Sequence, residues 1–476
     1  MLQACSHNNL VRFYSCLKMT ATASSISDAY NVEIVKRDVV LPAFHLEERL
    51  LSLSNLDLAI PPVSVHVFFC YNKPSDWTFE SMISLLRNSL SSALVYYYVF
   101  AGELITNSAG EPELLCNNKG VEFTQAYSAT ALAQVGFYDP DRTVEGKLVP
   151  LLPNSSQGKG NPVFSVQVTE FSCGGIVVGC TFDHKIADAF SGNMFFTCWA
   201  KLSKNESIDS LIPSFTKSVL RPQDPPVLSD RVYVNQTPGG KCQQIEDPSL
   251  ASRIYHLNAK NIEKIQACAN EHGKKYSKLE AFCAYLWNLL VHLDSQEIKH
   301  YSIGIAVDGR PCLMKMGMPA NYFGNVVAFA FAEAAADDIK NKPLSWSAKI
   351  IHEAIYTTAR KEYFKSLIDL VERTKTTSVS HRITDGNPSS RPVVMVSSGL
   401  RFPLYGVDYG WGKPMFASYH FPKGSEGYYV MPFPSPVEDG SWIVYMHLPL
   451  YQLNFIGSYC SGILSPITKD HLDFVF

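Results

Sequence analysis

From residue 31 onward the chain alternates segments whose apolar positions recur every second residue with segments where they recur every three to four. Residues 32–42, VEIVKRDVVLP, read as a strand closed by proline. Residues 63–71 set Val63, Val65, Val67 and Phe69 against Ser64 and His66, the alternation of a half-buried strand. The next segment, 81–97, carries Met82, Leu85, Leu86, Leu90 and Leu94 at helical spacing. FSVQVTEF and GGIVVGCTF predict two strands joined at 172–175. The second leads into a helix over roughly 188–202, with Met194, Phe195 and Trp199 inward.

The stretch 207–249 is polar and proline-rich without sustained periodicity, which marks a crossing segment. Beyond it, 259–273 and 277–293 read as helices, 300–311 as a strand, and 347–374 as one or two long helices. The remainder reads as strand and turn. The expected organisation is α/β: a disordered leader over 1–30, an N-terminal half over 31–205, a linker over 206–240 and a C-terminal half over 241–476. Some strand exchange between the halves is expected.

Composition narrows the class. A chain of 476 residues, 46% apolar and 18% charged with a formal net charge of −3, has the balance of a soluble globular protein long enough for two cores. That charge gives no reason to expect nucleic acid or an anionic membrane as partner. No apolar run approaches the ~18 residues needed to cross a bilayer. The twelve cysteines run from Cys5 to Cys460 with no C-x-x-C pair and are expected to be reduced, mostly buried thiols. Asn154, Asn205 and Asn235 begin glycosylation sequons, which mean little without an export signal. Residues 1–27 carry Arg12, Lys18 and several serines but no acidic residue. They are compatible with an organelle transit peptide, and equally with a short leader or a start at Met19, the preferred expectation for a cytoplasmic protein.

The first candidate chemistry is FDHKIADAF, residues 182–190, which sets His184 four places before Asp188. Histidine is the side chain whose ordinary pKa lets it take a proton near neutral pH. At the exit of a buried strand it is held rigidly, and Asp188 on the next turn can bond or orient it. A metal needs a third ligand, and no further His/Cys/carboxylate cluster stands at ligand spacing, so none is expected. A nucleophilic triad has no G-x-S-x-G elbow to support it. The spacing alone also occurs around structural histidines. The second feature is PLYGVDYGWGKP, residues 403–414, where Gly410 and Gly412 flank Trp411 in a tight turn.

Together these two segments resemble the plant BAHD family of coenzyme A-dependent acyltransferases, defined by H-x-x-x-D near mid-chain and D-F-G-W-G near the C-terminus. LRNSLSSALVYYYVFAGEL (86–104), LRPQDPP (220–226), YSKLEAFCAYLW (276–287), VDGRP (307–311), NYFGN (321–325) and PSPVEDGSW (434–442) extend the resemblance from about residue 31 to the end. It implies two chloramphenicol-acetyltransferase-like domains joined by a long crossover loop, with the active-site channel between them. His184 would act there as general base, with acyl-CoA as co-substrate, no tightly bound cofactor and no acyl-enzyme. Asp188 would pair with Arg310 and organise the site. Asp408, Gly410, Trp411 and Gly412 would shape the channel from a distance. Tyr276, Ser277 and Lys278 match a stretch that contacts CoA, and Ser397, Ser398 and Gly399 lie on the strand bordering the acceptor. The family default is a monomer.

The departures are specific. Ala189 stands where the family usually has glycine, and Tyr409 where it has phenylalanine. Gly399 replaces the tryptophan of shikimate- and quinate-directed relatives, which implies an opened pocket and leaves the oxyanion without an assigned donor. Ser390 stands where an acid-gripping arginine is counted, although Arg391 is adjacent. A neutral, flat acceptor is therefore expected. TFDHKIADAFSGNMF and SSGLRFPLYGVDYGWG are most similar to the coniferyl alcohol acyltransferase branch, so the expectation is transfer to a phenylpropanoid-type alcohol. N-acylation of an aromatic amine, hydroxycinnamoyl transfer to another alcohol, and a non-catalytic member that binds a partner or metabolite stay open.

Overall fold

The computed structural model describes residues 30–73, 75–152, 160–227, 235–238, 249–271, 273–294, 298–375, 379–382, 391–422 and 427–472. Residues 1–29 of the expected leader (with Met19), Asn154 and part of the linker (228–234 and 239–240) lie outside them, as do Ser390 and the side chain of Arg391.

Among the described residues, thirteen strands build two large sheets: β1 (Glu33–Val40), β2 (Ser64–Tyr71), β3 (Val121–Ser128), β4 (Phe164–Phe171), β5 (Ile176–Asp183), β6 (Leu250–Leu257), β7 (His300–Asp308), β8 (Val327–Ala335), β9 (Arg391–Val396), β10 (Phe416–His420), β11 (Tyr429–Pro434), β12 (Trp442–Pro449) and β13 (Leu464–Pro466). The first sheet runs β1-β3-β4-β5-β2-β10 and the second β8-β7-β9-β11-β12-β6-β13. The strand β10, late in the chain, therefore completes the sheet made by the N-terminal half, pairing antiparallel with β2 from Phe416↔Cys70 to His420↔His66.

On the first sheet, α1 (Phe79–Tyr96) and α2 (Ala189–Ser203) cover one face. Phe69 meets Phe196 edge to face at 5.5 Å, and Trp199 donates its indole N–H to Ser89 Oγ at 3.0 Å. The alternation in 63–71 predicts a half-buried strand, yet β2 is buried on both faces and His66 is fully enclosed. The segment after β3 folds back across the second face. Phe137 stacks on Phe68 at 5.7 Å, and the Leu148 carbonyl comes so close to Gly179 that an added Cβ would lie 1.9 Å from it. Such a cover comes from a distant segment, which a local two-residue period cannot report.

The second sheet is covered by α3 (Ala259–Ala269), α4 (Lys278–Leu293) and α5 (Leu344–Thr358). The long helical pattern ends at Thr358, and α6 (Lys361–Thr374) is a separate helix. A final helix, α7 (Leu450–Tyr459), departs from the strand-and-turn reading of the C-terminal region. Leu453 and Ile456, three apart, bury its short inner face, and the flanking aromatics and Gly457 hide that period. The crossing segment is anchored on the second half: Gln223 N, Gln223 Nε2 and Val227 N all donate to the buried Asp369 carboxylate at 2.7–3.0 Å. No described helix is long and apolar enough to cross a membrane, and the nine described cysteines are free thiols.

Candidate active site

His184 is the first residue beyond β5, and its backbone N–H still extends the sheet by donating to Val63 O at 3.0 Å. The side chain is partly exposed. Its Nδ1 lies 3.2 Å from Asn325 Oδ1. The orientation of that amide is over-determined: Asn325 Nδ2 faces Asp57 Oδ1 at 2.9 Å, His184 O at 2.9 Å and Lys185 O at 3.3 Å, all acceptors. Turning the amide over would aim its oxygen at three oxygens. Asn325 Oδ1 therefore accepts, Nδ1 carries the proton, and the neutral ring keeps its lone pair on Nε2.

Asp57 holds this arrangement. It also accepts Asn325 N at 2.8 Å, and its second oxygen closes a capping box with Ser54. Next to the histidine, Asp183 accepts Lys185 N at 2.8 Å, and burial raises its carboxyl despite that bond and the lysine charge. Neither Asp57 nor Asn325 was legible as a site residue. NYFGN was matched only as a string, and the contacts join positions 268 and 141 residues apart.

Asp188 does not bond the imidazole among the described contacts. It is the N-cap of α2, accepting Ser191 N at 2.9 Å, and it also accepts Val326 N at 3.0 Å. Arg310 grips it with both terminal nitrogens, at 2.7 and 3.1 Å. The two side chains are 2% and 3% exposed. Burial acts to raise the Asp188 carboxyl, but the guanidinium charge and the converging N–H donors hold it below the ordinary carboxylate range. Arg310 further donates to Ser191 Oγ and Gly324 O, so one cation ties the start of α2 to the loop that presents Asn325.

The 408–412 turn sits at the other end of α2, about 22 Å away by helix length. Asp408 Oδ1 accepts the N–H groups of Gly410 and Gly412 at 2.8 and 2.9 Å, and both glycines have φ near +115° (117° and 112°), where a side chain would strain the backbone. Trp411 packs edge-on against Tyr71 and Trp77, and Tyr409 O accepts Ser203 Oγ at 2.8 Å. The turn thus locks the far end of α2 and delivers β10 into the first sheet.

Tyr276, Ser277 and Lys278 are elsewhere, at the start of α4 in the second half. Ser277 is the N-cap in a capping box with Glu280, Tyr276 is buried against His352, and Lys278 is exposed. Ser397 and Ser398 follow β9 and are partly exposed. Gly399 is buried, and here the structure corrects the expected open pocket: the Phe433 ring already fills the position, 2.3 Å from where a Cβ would stand. Phe433 stacks on Tyr419 at 5.8 Å, and Tyr419 OH accepts Asn193 Nδ2 of α2 at 2.9 Å. Gly399→Trp is therefore expected to lower stability by about 1–3 kcal/mol, with the loss largely relieved in Gly399→Trp/Phe433→Ala; urea midpoints of the two variants check this.

A cavity of about 460 Å³ opens beside this wall, lined by Leu400, Phe402, Tyr405, Lys413, Glu438 and Trp442 among others, with none of His184, Asp188 or Arg310 in its lining. It joins the turn after β9 to PSPVEDGSW.

A family model described as the Transferase family matches residues 30–461. The shikimate O-hydroxycinnamoyltransferase of Nicotiana tabacum is 28% identical over 435 residues, covering 88% of this chain and 96% of its own. The rosmarinate synthase of Plectranthus scutellarioides is 27% identical, covering 87% and 95%. Among solved structures, TRI101 of F. sporotrichioides complexed with coenzyme A and T-2 superposes with a TM-score of 0.72 over 88% of this chain and 99% of that one, at 17% identity, a likeness of fold. The two-sheet architecture, the match over nearly the whole chain and these acyltransferase relatives lead to one conclusion: the chain belongs to the Transferase family of BAHD acyl-CoA-dependent acyltransferases.

Proposed function

We propose that this enzyme transfers an acyl group from acyl-CoA to the hydroxyl of a small, neutral, aromatic alcohol of the phenylpropanoid type, with His184 Nε2 as the general base. The observation that carries this reading is the Asp57–Asn325–His184 chain, because it leaves the lone pair on Nε2 of a partly exposed ring. The acceptor oxygen attacks the thioester carbonyl carbon while its proton passes to Nε2. The tetrahedral intermediate then collapses with cleavage of the C–S bond, and the leaving sulfur takes the proton back from the imidazolium. The products are an ester and CoA thiol, and no acyl-enzyme forms.

In this reading Asp188 and Arg310 position the strand exit and the Asn325 loop, and the 408–412 turn fixes the far end of α2. The enzyme acts as a cytoplasmic monomer. Tyr276, Ser277 and Lys278 contact CoA only if the donor reaches the start of α4, where Lys278 offers an exposed cation for a phosphate. The tobacco relative is named for shikimate. Ser390, at the position counted for an acid-gripping arginine, supports a different, uncharged acceptor for this chain. A donor-by-acceptor assay that detects free CoA with a thiol reagent tests it. Coniferyl-type alcohols are expected to turn over at least about tenfold faster than shikimate or quinate, a difference of ~1.4 kcal/mol. Faster turnover of the acidic acceptors, or of an aromatic amine, overturns the assignment.

A further inference from the structure

The segment that folds back over the first sheet makes one short helical turn, Pro140–Thr143, which brings Asp141 and Glu145 to the end of β10, where His420 closes the strand. One ligand atom from each of these three side chains lies within 4.8 Å of the others. Position 420 is 275 residues from Glu145, so spacing along the chain gave no sign of the cluster.

The imidazole of His420 is 0% exposed, and neither of its nitrogens has a hydrogen-bond partner among the described residues. Asp141 Oδ1 is likewise buried and unpartnered, while its other oxygen accepts Ser252 N at 2.6 Å. Enclosing polar atoms without partners costs roughly 1–3 kcal/mol each, so such groups point to something they bind. His420 Nε2 stands 3.5 Å from Glu145 Oε2. That is longer than the ~2.7–2.9 Å of a charge-assisted hydrogen bond. It is close to the ~3.3 Å separating two ligands that each sit ~2.0–2.1 Å from a tetrahedral ion.

We propose that Asp141, Glu145 and His420 form a binding site for a divalent cation of the zinc class, one imidazole nitrogen and two carboxylate oxygens being a donor set suited to it. His66, its ring 5.8 Å from that of His420 and equally enclosed, is a further imidazole beside the cluster. The ion has a structural task. Asp141 is already tied to β6 of the second sheet through Ser252, whose hydroxyl meets Tyr445 OH and His447 Nδ1 at 3.0 Å. Joining Asp141 to His420 therefore clamps β10 of the first sheet to the second.

The full chain, stripped with a chelator and dialysed, is titrated with Zn²⁺ by calorimetry and with Co²⁺ by visible absorption. The expected result is one equivalent bound, a Co²⁺ band of tetrahedral intensity, and an unfolding temperature that rises with Zn²⁺. His420→Gln and Glu145→Gln should each weaken Zn²⁺ by more than about tenfold. His471→Gln, in the separate stacked pair with His256, should leave binding intact. Absence of binding by the stripped wild-type chain overturns the proposal without any variant. So does unchanged Zn²⁺ affinity in His420→Gln shown to be folded by circular dichroism.

Discussion

Replacing His184 by alanine is expected to lower turnover by about 10²–10⁴-fold, the usual worth of a positioned general base, with the fold intact. The two effects separate because the residue is attached in two ways. Its backbone N–H bond to Val63 O, which extends the sheet, survives the substitution. Its side chain is partly exposed and, among the described residues, makes one ring hydrogen bond, with Asn325 Oδ1, so its loss costs stability about 0.5–1.5 kcal/mol. Release of CoA thiol under saturating donor gives the rate, and thermal unfolding gives the stability. A variant that keeps turnover within tenfold of wild type removes His184 from the proton-transfer role.

Asn325 extends the same test. Asn325→Leu removes the acceptor for Nδ1–H and frees the ring to adopt either tautomer, and it also deprives the buried Asp57 carboxylate of its Nδ2 donor, leaving the bond from the residue 325 backbone N–H. Lost activity in that variant mixes positioning with folding, whereas His184→Ala isolates the base. The histidine is therefore the decisive substitution.

What the sequence made legible was local. His184 and Asp188 are four residues apart, and the strand-to-helix junction that displays one and caps a helix with the other lies within a single stretch. The strands β1, β2, β4, β5 and β7 are likewise foreshadowed by apolar runs, whereas β3, β6 and β8 were not read from the sequence. The rest depended on chain returning from a distance. Asp57 reads as an ordinary capping residue, and only the fold shows its carboxylate meeting Asn325. Gly399 read as a gap because a missing side chain leaves space unless a neighbour takes it, and here Phe433 does. His66 looked like the solvent-facing half of a strand until the 135–149 segment and β10 closed over it. Each miss is a tertiary contact overriding a local pattern.

Asp188→Ala should reverse the balance seen at His184, with the main loss in stability. Arg310 would be left 3% exposed with the Asp308 carboxylate at 3.3 Å as its remaining acidic partner. Breaking one side of a buried ion pair typically costs about 3–5 kcal/mol. The N-cap of α2 disappears with it, a further ~0.5–2 kcal/mol that overlaps the first loss. Asp188→Leu/Arg310→Met, which removes both charges, should be less damaging than Asp188→Ala, because no uncompensated ion stays buried. The pH dependence follows from the direction of the shift. The folded carboxyl is held low, so the stabilisation is fully present above the unfolded value of ~3.9 and is lost only as pH falls through the folded value. The urea-midpoint difference between wild type and Asp188→Asn, which can still cap the helix, should thus stay flat through neutral pH and shrink only in strong acid. If Asp188→Ala instead unfolds at the wild-type midpoint yet has lost turnover, the carboxylate belongs to the chemistry, and the division of labour between the exposed base and the buried ion pair fails.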